Sequence, residues 1–346
     1  MSRVDAWVRP NLRGLKPYYK APLEGNPLRL DQNTNLSGPN PALWSVDVDE
    51  LNVTQYPTRD GEPLQQALAA LHGLEPEQIV LGNGSDELLD ILAKTFLGPG
   101  DVMRVPAPSY SLYPFYATLQ DATLLEVPLT SKFQLSPEML ASQAKLTILA
   151  NPNNPTGNRF RDEDVEALLA QDGVVVVDEA YIEYGGTSWL RRLDEFDNLV
   201  VMRTFSKAYG LAGLRIGWLA ASKPLAAKLL LTKPPFNLNL FSEQVAIAAL
   251  GETKWLADHV ATVQEERERM AAGLKARGFR VHPSDANFLL TDPPLDAGLI
   301  QSGLQAQGIL VRTFAGKPRL DGKVRFGIGE PNHTDQLLAA LDEVLA

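Results

Sequence analysis

Lys207 stands in the stretch TFSKAYGLAGLRIG (204–217), after the hydroxyls of Thr204 and Ser206 and eight positions before Arg215. A primary amine condenses with carbonyl carbon, and the planar fork of a guanidinium binds phosphate oxygens in pairs. Three further stretches gather polar groups of the same kind: LGNGSDE (81–87), NPNNPTG (151–157) and DEAY (178–181). Each has an ordinary explanation on its own. Asn, Pro and Gly make turns, and Ser or Asp caps helices. Together, and in this order, they call for a common position in the fold.

The elements around them supply one. QIVLG, DVMRVPAP, ATLLEVPL, KLTILANP, GVVVVDEA, NLVVMRTFS and RIGWLAA are short, nearly continuous apolar runs, as expected of strands buried on both faces of a mainly parallel sheet. Helical segments alternate with them: GEPLQQALAALHG with its Gly73 stop, SDELLDILAKTFLG from a Ser-Asp cap, RDEDVEALLAQ and KPLAAKLLLT. In such α/β sheets ligands bind beyond the carboxyl ends of the strands. The chemistry-bearing stretches all fall at strand ends, so an anion loop, an amide, a carboxylate, a phenol and an amine face one rim. A long charged helix at 253–278 then leads to short strands in FRVH, ANFLLT, GILVRTF and KVRFGIG, with helices at 297–307 and 334–345. The expected organisation is an arm at 1–35 that joins part of a small α+β domain, a large domain at 36–255 and the small domain at 256–346.

Composition narrows the function. The chain has 346 residues, 45% hydrophobic and 21% charged, with a formal net charge of −10, which gives no broad positive field for nucleic acid or an anionic membrane surface. It has no cysteine, which excludes disulfides and thiolate chemistry, and its four histidines are scattered without ligand spacing, so no metal site is expected. No run approaches the length of a membrane span and the start lacks a signal-peptide core, so a cytoplasmic protein is expected. A dinucleotide site fails on detail. GNGSDE lacks the third glycine, and no acidic residue ends a strand about 20 residues on.

The motifs GSDE (84–87), PSYSLY (108–113), NPNNPTG, DEAY and SKAYGLAGLRIG carry a resemblance. Over essentially the whole length the chain resembles fold-type I pyridoxal-phosphate enzymes of the aspartate-aminotransferase superfamily, and is most similar to the histidinol-phosphate aminotransferases. The resemblance implies a large domain with a mostly parallel seven-stranded sheet between helices, plus a smaller α+β domain. It implies pyridoxal 5'-phosphate held covalently by Lys207, with Asp178 on its ring nitrogen, Asn154 and Tyr181 on its phenolic oxygen and Tyr110 on its ring face. The cofactor phosphate would lie among Gly84, the amides of Ser85 and Asp86, Thr204, Ser206 and Arg215. Tyr56 would reach it from a partner subunit, making a homodimer with shared sites.

The substrates implied are a phosphorylated amine, histidinol phosphate, and the pair 2-oxoglutarate and glutamate, bound through Tyr18, Asn35, Arg312 and Arg325. Where the family commonly reads Glu-Asn-Pro, this chain has Thr34, Asn35 and Leu36. Aromatic-amino-acid transaminases and threonine-phosphate decarboxylases share most of the motifs. The same fold also serves as a cofactor-sensing domain in transcription regulators, but residues 1–60 show no helix-turn-helix pattern or basic cluster.

Overall fold

A computed structural model describes residues 3–16, 25–57 and 61–346. In chain order the strands are β1 (Leu28–Arg29), β2 (Ile79–Gly82), β3 (Val102–Ala107), β4 (Thr123–Pro128), β5 (Leu146–Ala150), β6 (Val174–Asp178), β7 (Leu199–Thr204), β8 (Gly217–Ala221), β9 (Arg280–Val281), β10 (Phe288–Asp292), β11 (Ile309–Leu310), β12 (Arg312–Thr313) and β13 (Val324–Gly327).

Seven of them form one sheet in the order β2-β8-β7-β6-β5-β3-β4, parallel throughout except for β8, which runs against both neighbours. The continuous apolar runs are explained by cover on both faces. Leu149, Val175, Val177 and Val201 point into one core, while Ile148, Val176, Val200 and Met202 point into the other. Burying a Val or Leu fully contributes about 1.5–3 kcal/mol, so alternation of polar residues would have cost the sheet one of its two layers. β2, β5, β6 and β7 share one direction, and their carboxyl ends carry LGNGSDE, NPNNPTG, DEAY and TFSK on a single edge.

A second sheet, β12-β13-β10-β9, is antiparallel, and β1 pairs in parallel with β11. GILVRTF is therefore two strands rather than one. The buried Val311 separates a half that pairs with the arm from a half that pairs with β13. The helix Thr253–Ala276 lays Val263, Met270 and Leu274 on the core beneath this second sheet, and that core also takes in Leu30, Tyr181, Tyr184 and Ala208. Residues from the rim of the large sheet thus pack with the small one.

Three details differ from the sequence reading. The helix Ser85–Phe96 is capped by Gly84 at φ 80, not by a Ser-Asp side chain, because the guanidinium of Arg215 lies where a Cβ at residue 84 would stand. The last helix starts at Pro331, whose fixed φ suits a first turn. The first 60 residues, whose Pro, Asn and Gly content and weak periodicity imply an extended stretch, contain 3-10 turns at Asp5–Trp7, Pro10–Leu12, Pro41–Trp44 and Val48–Glu50.

Candidate active site

Asp178 ends β6 and is buried. One carboxylate oxygen accepts from the Tyr113 hydroxyl at 2.7 Å and the other from the amide of Ala180 at 3.1 Å. Burial pushes its carboxyl up to about 6, against the pull of those two donors and of Lys207. The Lys207 amine lies 5.5 Å from the centre of the Tyr181 ring. Its own turn is closed by the Gly210 amide donating to the Lys207 carbonyl at 3.0 Å, with Gly210 at φ 69.

Around Tyr181 the side chains form a chain of bonds. Asn154 donates to the phenol oxygen at 3.2 Å and Asn33 donates to the same oxygen at 3.3 Å. The amide oxygen of Asn154 accepts from Arg325 at 2.6 Å, and Arg325 also donates to the Asp31 carbonyl at 2.7 Å. Arg325 is 7% exposed, its Nε has no acceptor among the described residues, and its guanidinium sits 5.1 Å from the centre of the Phe288 ring. Among the described residues it makes no ion pair, and burial pulls its pKa down to about 10. Arg312 stands directly opposite it across β12 and β13, exposed. Two cations in register on one sheet face repel each other unless an anion lies between or above them.

The other end of the rim is a polar cup. Thr204 donates to Ser206 at 2.9 Å, and the Ser206 amide donates back to Thr204 at 3.1 Å. Gly82, Gly217 and Thr204 are cross-strand neighbours, and a Cβ at Gly217 would stand 2.6 Å from the Ser85 amide nitrogen. The amides of Ser85 and Asp86 belong to a helical first turn, which has no acceptors of its own. Arg215, at φ 55 in the left-handed region, donates to Asp86 at 3.1 Å. Tyr110 donates to the other oxygen of Asp86 at 3.2 Å. A non-glycine residue held there is costly and is retained where the surroundings require its side chain in one place.

Fourteen of the sixteen residues singled out from sequence are brought to this rim or to the arm and strands beside it. Asn35 faces the lysine turn, donating to the Ala208 carbonyl at 3.2 Å. Tyr56 does not join them. It is 78% exposed and stacks on Phe236 with ring centres 5.0 Å apart. Tyr18 lies outside the described residues. Sequence reasoning missed Tyr113 and Asn33. The first is an aromatic three residues after Tyr110, across a turn in which the Tyr113 amide donates to the Tyr110 carbonyl at 3.2 Å and the rings meet edge-on, 5.4 Å apart; the second had no signal beyond lying two residues before Asn35.

The model of the family described as aminotransferase class I and II matches residues 27–343. The chain belongs to this family. Its members of known name include the histidinol-phosphate aminotransferase of Roseiflexus castenholzii, 40% identical with 99% of each chain covered. That of Pyrococcus furiosus is 37% identical over 94% of this chain and 95% of its own. Among solved structures, a histidinol-phosphate aminotransferase from Sinorhizobium meliloti in complex with pyridoxal-5'-phosphate superposes with a TM-score of 0.84 at 28% identity, covering 92% of this chain and 90% of the other. The fold expectation holds: an aminotransferase architecture with a central, mostly parallel seven-stranded sheet and a second small sheet. Among the described residues no helix is long and apolar enough to cross a membrane.

Proposed function

We propose that this aminotransferase moves the amino group of L-histidinol phosphate to 2-oxoglutarate, giving imidazole-acetol phosphate and glutamate, as a step of histidine biosynthesis. The single observation that carries the substrate is the pair Arg325 and Arg312. A buried guanidinium without a carboxylate partner among the described residues faces a second cation in register, and a phosphate dianion is the ligand that repays both. The names of the relatives point the same way.

The residues fit pyridoxal 5'-phosphate. The cup of Thr204, Ser206, Arg215 and the Ser85 and Asp86 amides has phosphate-binding chemistry, and it is kept open by glycines at 84 and 217 whose Cβ would fill it. When bound, the cofactor supplies an aldehyde for amine exchange and an electron sink for the carbanion at Cα. Lys207 Nζ would be the amine that holds it and the base that would take the proton from the substrate Cα and return it to the cofactor side. Asp178, ionised at neutral pH, would accept from the ring nitrogen. Asn154 and Tyr181 would donate to the phenolic oxygen, and Tyr110 would cover the ring. Arg325 serves the α-carboxylate of glutamate in one half-reaction and the substrate phosphate in the other, with Tyr18, Asn35 and Arg312 on the substrate side.

Two features of assembly belong to this proposal. The exposed Tyr56 reaches the cofactor phosphate of a second copy, which makes a homodimer with shared sites. The chain divides into the arm at 1–35, a cofactor domain at 36–255 and a small domain at 256–346.

A donor screen with purified protein and 2-oxoglutarate tests the reading. Histidinol phosphate is expected to exceed phenylalanine, tyrosine and threonine phosphate in kcat/KM. Preference for an unphosphorylated aromatic donor, or carbon dioxide released from threonine phosphate, would discard the substrate while leaving the family intact.

A further inference from the structure

Segment 31–37, at the end of the arm and the start of the large domain, bonds into the site at alternate residues. The Asp31 carbonyl holds Arg325, Asn33 holds Tyr181 and Asn35 holds the Ala208 carbonyl, next to Lys207. The fourth, Ser37, reaches elsewhere. Its hydroxyl lies 2.8 Å from Nδ1 of His259, on the helix Thr253–Ala276. Its amide donates to Oδ1 of Asn35 at 2.8 Å, so Asn35 and Ser37 are tied to each other as well.

His259 is 6% exposed and both ring nitrogens are engaged, the second with the Tyr184 hydroxyl at 3.1 Å. The Trp255 ring stacks on it, 16° from parallel with centres 5.6 Å apart. A Cβ at Gly210 would stand 3.2 Å from the Asn35 amide nitrogen and 3.3 Å from the Trp255 ring. The turn that begins at Lys207 and closes at Gly210 is therefore gripped between Asn35 and Trp255. One imidazole touches Trp255 and, through Ser37, the other side of the grip.

We propose that His259 is a positioning residue for Lys207: it locks Ser37–Asn35 to Trp255 and so clamps the turn that carries the amine. The proposal rests on the reading of Lys207 as the reacting amine. Burial pulls the imidazole down to about 4, so it stays neutral around pH 7 with one donor and one acceptor nitrogen. Both neighbours are hydroxyls that donate or accept, so the two bonds form in either tautomer. A lysine side chain has about 2 kcal/mol of rotamer freedom, and a loose turn beneath it adds more, which dilutes the geometry that proton transfer requires.

The test uses the holoenzyme in three variants, His259→Ala, Ser37→Ala and the double variant. Hydrogen exchange is followed at residues 205–211 and at residues 262–276 of the long helix. Both single variants are expected to speed exchange at 205–211 at least about 10-fold while 262–276 stays protected. They should lower kcat about 10-fold with KM for the amino donor within about twofold. The double variant should be no slower than His259→Ala, since both act through one path. Unchanged exchange at 205–211, opening of the whole helix, or additive losses would overturn the proposal. If His259→Ala does not fold, Ser37→Ala carries the test by the same readouts. Borohydride labelling of the wild type separates this from the function: a label on another lysine sinks the role of Lys207, whatever the exchange pattern.

Discussion

Arg325 and Asn154 are joined by a 2.6 Å hydrogen bond, and the same amide donates to Tyr181 at 3.2 Å. The cation proposed for the substrate and the two groups proposed for the cofactor's phenolic oxygen are thus one unit. Loss of Arg325 should disturb both halves of the site. Arg325→Ala is expected to lower kcat/KM about 10–100-fold for histidinol phosphate and for glutamate alike, from charge-assisted bonds of about 1.5–3 kcal/mol. Asn154→Ala should cost less in that background than in the wild type. Strictly additive losses in the cycle would mean that the two residues act separately.

Tyr113 lowers the pKa of Asp178 by donating to it, against burial that pushes the carboxyl up to about 6 from an ordinary 3.8. The raised value fixes the sign. Stability tied to this group is complete below about pH 4 and is lost as pH rises through about 6, because ionisation in a buried site is disfavoured. Tyr113→Phe should move the folded pKa further up by about one to two units, the equivalent of one bond to a charged group. Denaturant midpoints of cofactor-free protein between pH 4 and 8 would then fall more steeply than in the wild type, and Asp178→Asn should remove that part of the slope. A Tyr113→Phe profile parallel to the wild type would contradict the assignment.

Lys207→Ala should lose the covalent cofactor and at least about 10²-fold in turnover, the lower range for a positioned base. Borohydride reduction followed by peptide mass spectrometry is the check. A cofactor adduct on any other lysine is the contrary result.

Mixed dimers address Tyr56, which is exposed in the single chain and stacks on Phe236. A Tyr56→Phe subunit exchanged with a Lys207→Ala subunit should form one site with both lesions and one with neither, so activity is expected to exceed that of either homodimer. Absence of recovery after verified subunit exchange would place Tyr56 in its own subunit's site or in no site.

Much of this was legible in the sequence for identifiable reasons. Continuous runs such as VVVV report burial on both faces, and residues 79–82, 146–150, 174–178 and 199–204 became strands whose polar ends share an edge. The Lys207–Arg215 spacing was legible because both side chains come from one loop. What escaped reading depends on contacts distant in sequence. The Gly84 cap is dictated by Arg215, the split of GILVRTF by a partner strand 281 residues away in register, Leu28 to Ile309, and Asn33 by Tyr181. No local pattern in a polar arm announces which of its residues will face inward.

The most direct measurement of the central claim is the rate of each isolated half-reaction in Arg312→Ala, followed by the cofactor's visible band. Arg312 faces Arg325 across two paired strands, and if it binds the substrate phosphate alone, as proposed, its loss should raise KM for histidinol phosphate and lower kcat/KM about 10–100-fold. The glutamate half-reaction should stay within about threefold of the wild type, since no charge-assisted bond is removed there. Equal damage to both half-reactions, or to neither, would contradict a phosphate held between the two arginines.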